Sequence, residues 1–304
     1  MNSTVRTVVA ALPPLHGRRF RLWLLLLVLS LGVLATQIMI PRWHFLPGSV
    51  ETAYGWAVVG IFLVAVLCEY MDASLGMGYG TTLTPLLLLF GYEPLQIVPA
   101  VLLSELFTGV AAGLMHQRDG NVDFRHDAAA RRTALLLTAL SAVGAILAVS
   151  VAVTIPTFWL GLIITGIVMS MGLVILATRH RQLRYHAGGI VAVGAVAAFN
   201  KGLSGGGYGP LVTAGQVVSG LPAKRAVAVT SVAEAATCLV GLLAYLAAGK
   251  SIAWELAVPL ALGTMLSVPM ATITVHRLSE HMVRGLVGVL TLALGVVALL
   301  KLFG

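Results

Sequence analysis

Two segments hold most of the residues that could do chemistry in this chain. In the first, Asn200-Lys201-Gly202-Leu203-Ser204-Gly205-Gly206-Gly207-Tyr208-Gly209-Pro210, a lysine and five glycines sit between apolar runs. The second, Met71-Asp72-Ala73-Ser74-Leu75-Gly76-Met77-Gly78-Tyr79-Gly80-Thr81, lies 129 positions earlier, counting Gly205 against Gly76. In a bilayer every backbone N–H and C=O needs a partner, and clustered glycines hold a helix poorly. Each cluster therefore predicts a break at which a new helix begins. Amides at the start of that helix are unpaired, and its dipole favours an anion there. Pro210 suits a first helical turn, where its missing N–H costs nothing. The expected anion site comprises Gly76, Gly78, Tyr79, Gly80 and Thr81 from one segment, with Lys201, Ser204, Gly205, Gly206, Gly207, Tyr208 and Gly209 from the other. Thr82 would add a further hydroxyl.

Charges inside apolar runs are the second signal, because a charge at bilayer depth costs roughly 2.5–3.5 kcal/mol on insertion scales. Asp72 and Lys201 occupy equivalent positions, and the first expectation is that they pair. Lys201 would then either neutralise a bound anion or serve a structural ion pair. Glu105 and Glu234 are also equivalent, each three residues before a threonine. They are read as proton carriers or as structural hydrogen-bonding groups.

Other chemistries fit poorly. Glycine clusters also serve close helix packing, but packing motifs are normally spaced along a continuous helix. A potassium-type filter needs four Gly-Tyr-Gly copies about one axis, and the chain has two. A dinucleotide-binding loop needs a strand–turn–helix setting that is missing here. Ser204 would need a base beside it to act as a nucleophile, so no catalytic residue, metal or cofactor is expected. His116 and His126 lie beside a basic loop, and His276 and His281 flank Arg277; all four read as interfacial. Cys68 and Cys238 read as small buried hydrophobes.

The elements that must position these groups follow from composition. The 304-residue chain is 59% hydrophobic and 10% charged. A soluble domain carries about 25% charged residues, so the fold class is an all-α polytopic membrane protein. The net charge of +8 resides in short loops, the pattern of topology signals and not of nucleic-acid binding. Spans of ~20 residues are expected near 22–40, 55–72, 95–116, 133–154, 157–178, 187–200, 225–247, 253–275 and 283–303, with short helices near 81–90 and 210–219. Residues 1–21 read as a cytoplasmic tail and 22–40 as an uncleaved extra span.

Residues 55–178 and 187–303 read as two copies of one transmembrane unit. Besides the glycines, Thr84, Gly91, Val98, Glu105, Thr108, Leu114 and Gly120 match Thr213, Gly220, Val227, Glu234, Thr237, Leu243 and Gly249. If each short helix counts as a pass, every basic stretch falls on one side. These stretches are the N-terminus, Arg118 to Arg132, Arg179 to Arg184, Lys224-Arg225 and Arg277 to Arg284. The positive-inside rule then favours five passes per repeat and an inverted second repeat. Four passes with parallel repeats is the alternative.

The paired motifs Leu75-Gly76-Met77-Gly78-Tyr79-Gly80, with Pro85 and Gly91, and Gly202-Leu203-Ser204-Gly205-Gly206-Gly207-Tyr208-Gly209, with Gly220, resemble those of the TauE/SafE family of membrane permeases. The resemblance covers about residues 55–303, and Met77 interrupts the glycine run in the first copy. It implies transport of small sulfur-containing anions such as sulfite or sulfonates. The expectation is therefore a proton-coupled secondary transporter in a bacterial inner membrane, N-terminus cytoplasmic, with the bilayer and a small anion as partners and room for a homo-oligomer. A passive anion channel and, less favoured, an intramembrane enzyme are the alternatives.

Overall fold

A computed structural model describes residues 18–39, 53–76, 78–178, 187–218, 223–274 and 280–303. Most of the tail, Met77, Gly220 and the stretch 179–184 lie outside the described residues, as do the side chains of 277–284. Among the described residues there are eleven helices and no strand. They are α1 Arg18–Met39, α2 Ala53–Leu75, α3 Tyr79–Leu89, α4 Pro94–Arg118, α5 Ala128–Thr154, α6 Thr157–Thr178, α7 Ala187–Ser204, α8 Tyr208–Val218, α9 Ala223–Ala247, α10 Trp254–Thr274 and α11 Glu280–Phe303. Six are long and apolar enough to cross a membrane: α2, α4, α5, α6, α9 and α10. The short helices α3 and α8 have 11 residues each, enough for about half the hydrocarbon core.

Local chemistry sets the helix ends. Pro94 opens α4 behind Glu93, whose backbone N–H donates to Gln96 Oε1 at 2.9 Å in a capping box. At the far end Gly120 takes φ 70°, and the Asn121 N–H returns to the His116 carbonyl at 2.9 Å. Helix α9 ends in the same way: Gly249 takes φ 75° and the Lys250 N–H reaches the Tyr245 carbonyl at 3.0 Å. Glycine tolerates this left-handed turn, which satisfies otherwise orphaned carbonyls.

Packing places α4 and α9 antiparallel at the centre. Leu102 lies against Gly241, and Val232 lies against Gly113. Helices α6 and α11 are also antiparallel, with Leu302 near Gly161 and Leu176 near Gly288. By contrast α2 and α10 run parallel: the Phe62 carbonyl approaches Gly263, and Ser267 Oγ donates to the Val66 carbonyl at 2.5 Å. So do α5 and α7, with Gly144 against Ala198 and Gly202 against Ala148. Lipid tails are as apolar as the side chains, so helix association in a membrane rests on close van der Waals fit, and small residues at the contacts supply it. Helix α1 packs on α10, its Trp23, Leu26 and Leu27 covering Val58, Phe62 and Leu266.

Candidate functional site

The two glycine breaks meet. Gly76 and Gly78 take φ 71° and 128°, and Gly205 and Gly207 take φ 74° and 79°, so the chain turns left-handed at both breaks. Between them the backbones touch. A Cβ on Gly80 would lie 2.0 Å from the Gly205 carbonyl oxygen, and one on Gly206 would lie 2.5 Å from the Gly80 carbonyl carbon. Threonines on the short helices stitch the crossing. Thr84 Oγ1 donates to the Ser204 carbonyl at 2.9 Å, and Thr213 Oγ1 donates to the Gly76 carbonyl at 3.2 Å.

Side chains cap the amides at the breaks. Asp72 Oδ1 accepts the Tyr79 N–H at 3.4 Å, and Ser204 Oγ accepts the Gly206 N–H at 3.2 Å. A Cβ on Gly207 would sit 2.0 Å from Asn200 Nδ2, so Asn200 closes over that break. The tyrosines of the motif are anchors in the protein interior. Tyr79 OH meets Ser104 Oγ at 2.9 Å, and Tyr208 OH meets Ser141 Oγ at 3.1 Å. Thr81 Oγ1 turns back to the Gly78 carbonyl at 3.3 Å, while Thr82 Oγ1 is buried with no partner among the described residues. Gly209 lies in the first turn of α8, as does Pro210.

The charges gather beside the crossing. Lys201, 1% exposed, bonds Glu105 Oε2 on α4 and donates to Glu234 Oε1 on α9 at 2.8 Å. Expectation set Lys201 against Asp72; its direct partners are Glu105 and Glu234, and Asp72 completes the group. Carboxylate oxygens of Asp72, Glu105 and Glu234 lie within 4.8 Å of one another. That spacing could hold a cation, and the ammonium of Lys201 bonds two of the three carboxylates. Cys238 Sγ donates to Glu105 Oε2 at 3.8 Å. One oxygen of Glu105 and one of Glu69 are buried with no hydrogen-bond partner among the described residues.

A second layer ties the ends of α4 and α9 to the helices that carry the breaks. His116 Nε2 meets the Ala73 carbonyl at 3.1 Å, three residues before Gly76. Tyr245 OH donates to the Gly202 carbonyl at 2.9 Å, three residues before Gly205. His116 and Tyr245 are 129 positions apart, as are Ala73 and Gly202. Asn121 Nδ2 lies 2.9 Å from His116 Nδ1 and donates to the Thr272 carbonyl at 3.1 Å. His116 is fully buried in the protein: the carbonyl of Ala73 and the amide of Asn121 engage both ring nitrogens. His126 is exposed beside Asp123.

Sequence reasoning missed Glu69, Asn200 and the His116–Tyr245 pair. Glu69 precedes Asp72 by three residues, the spacing of helix neighbours, and that signal was available. Nothing in the chain marks a carbonyl as the partner of His116.

A family model described as "Sulfite exporter TauE/SafE" matches residues 61–298. A curated relative, "Probable membrane transporter protein YtnM" of Bacillus subtilis (strain 168), is 26% identical over 237 residues, which is 74% of this chain and 77% of the relative. No solved structure matches. The matched region contains both glycine breaks, all the clustered carboxylates and Lys201, and the chain belongs to the TauE/SafE sulfite exporter family of membrane transporters.

Proposed function

We propose that the chain is a secondary transporter that carries a small sulfur-containing anion together with protons across a bacterial inner membrane. The observation that carries this reading is Lys201, buried where the two breaks cross and held by carboxylates from two different helices. One ammonium cannot balance Asp72, Glu105 and Glu234 once all three are ionised, and desolvated net charge is expensive. With two protons on these three carboxylates, and a third on the buried Glu69, the group is neutral. Protonating Glu105 or Glu234 loosens its hold on Lys201, and the lysine can then face an oxyanion beside the two breaks, where Asp72 and Ser204 cap the Tyr79 and Gly206 amides until an anion replaces them. An ionised carboxylate reclaims the lysine and expels the anion. Anion and proton are thus bound and released together.

Alternating access about two inverted units suits this chemistry. The supporting observations are the antiparallel contacts of α4 with α9, whose bounds lie 129 positions apart, and of α6 with α11. The exchanged contacts of α2 with α10 and of α7 with α5 point the same way. So do the matched bonds of His116 and Tyr245. The short helices of equal length take the place of discontinuous transporter helices.

Purified protein in proteoliposomes tests the reading. An imposed pH gradient, acid outside, should drive sulfite or a small sulfonate inward against its own gradient. Anion flux that only runs downhill, with no proton movement, would support a passive channel instead.

A further inference from the structure

A pocket outside the proposed transport site opens where the α4–α5 loop meets the start of α9. Its volume is about 870 Å³, and Arg118, Arg125, His126, Lys224 and Arg225 line it. The acidic groups nearby are few. Asp123 Oδ2 bonds the His126 ring at 2.8 Å, and Asp127 Oδ2 bonds Arg225 at 3.0 Å. Bonds from the ring and backbone of His126 hold the Asp123 carboxyl below the usual carboxylate range, so it stays ionised. Four arginine and lysine side chains line the pocket against one lining carboxylate, Asp123, and the lining is net positive.

A second cavity of about 330 Å³ begins where the first ends. The two share Leu114, Gln117 and Phe124. From there the second runs between α4 and α9 along Val110, Val232, Ala236 and Leu239, and among the described residues Gln117 is its one polar lining residue. Val110, Leu114 and Leu239 are exposed on this face of a membrane protein. A basic pocket at the end of two membrane helices, continuous with an apolar groove between them, matches one kind of molecule: a charged head joined to acyl chains.

We propose that this pocket and groove bind an anionic phospholipid, its phosphate among Arg118, Arg125 and Lys224 and an acyl chain between α4 and α9. The groove abuts the helices that carry Glu105 and Glu234, and the bound lipid is a third layer on the α4–α9 pair. The site is independent of the substrate and coupling assigned above.

Native mass spectrometry of the delipidated protein in detergent tests this. Dioleoylphosphatidylglycerol should bind more tightly than dioleoylphosphatidylcholine. The double variant Arg125→Gln/Lys224→Gln should lose roughly 30-fold in affinity for the anionic lipid, from about five-fold for each cation. Neither residue touches the buried charge cluster. Ala236→Phe should weaken retention of the lipid by filling the groove. Glycerophosphoglycerol, the head without chains, should bind far more weakly than the lipid. Equal binding of both lipids, an unchanged affinity in the double variant, or a free headgroup that binds as well as the lipid would each overturn the proposal.

Discussion

Gly80→Ala asks whether the crossing of the two breaks is a steric necessity. The added Cβ would lie 2.0 Å from the Gly205 carbonyl oxygen and 2.6 Å from the Gly206 Cα. Ordinary contact begins at 3.4 Å, so the segments must part by about 1.4 Å, the difference between 3.4 and 2.0 Å. Both are backbone atoms, and no flexible side chain can yield. Such a displacement stretches the Thr84 bond to the Ser204 carbonyl and the Thr213 bond to the Gly76 carbonyl. Overpacking typically costs about 1–3 kcal/mol, and each stretched buried bond adds about 1 kcal/mol. The expected loss is therefore about 3–5 kcal/mol. Gly60→Ala is the control: it lies on α2, where an added Cβ meets nothing within 4 Å, and alanine improves helix propensity. Thermal unfolding in detergent, followed by the monodisperse fraction remaining, should place Gly80→Ala well below wild type and Gly60→Ala at or above it. Equal melting of the two variants would refute the backbone crossing.

Three further outcomes follow from the same geometry. Lys201→Met leaves buried carboxylates without their cation and should lose about 3–5 kcal/mol; Lys201→Met/Glu105→Gln/Glu234→Gln should regain most of that stability in thermal scans while staying inactive in transport. His116→Leu and Tyr245→Phe each strand a buried carbonyl, and each should cost about 1–3 kcal/mol in the same scans. Arg125→Cys and Ser251→Cys, at opposite ends of the α4–α9 pair, should react with an impermeant thiol reagent from opposite sides of the membrane. Labelling from one side would contradict the inverted arrangement.

The breaks were legible because glycine clusters conflict with a membrane helix on elementary grounds. The short helices, expected at 81–90 and 210–219, occupy 79–89 and 208–218. The charges were legible for the same reason: Glu105, Lys201 and Glu234 stand alone in apolar runs, and Asp72 shares its run with Glu69. Their pairing was not. Matching positions 129 apart suggested Asp72 for Lys201, whereas α4 and α9 cross and bring both glutamates to one ammonium. That depends on how helices pack, which local sequence does not encode. The burial of His116 was not legible, because Arg118 follows it at a helix end. Only the packing of α2 against that end supplies a carbonyl and makes the position interior.

The central claim is that anion and proton share the Lys201 site. Proteoliposomes carrying an internal pH dye and given external sulfite or a small sulfonate, with no imposed pH gradient, test it most directly. The account predicts acidification of the lumen that rises with anion uptake and is absent in the Lys201→Met/Glu105→Gln/Glu234→Gln protein. Anion uptake by the wild-type protein with no movement of protons would contradict it.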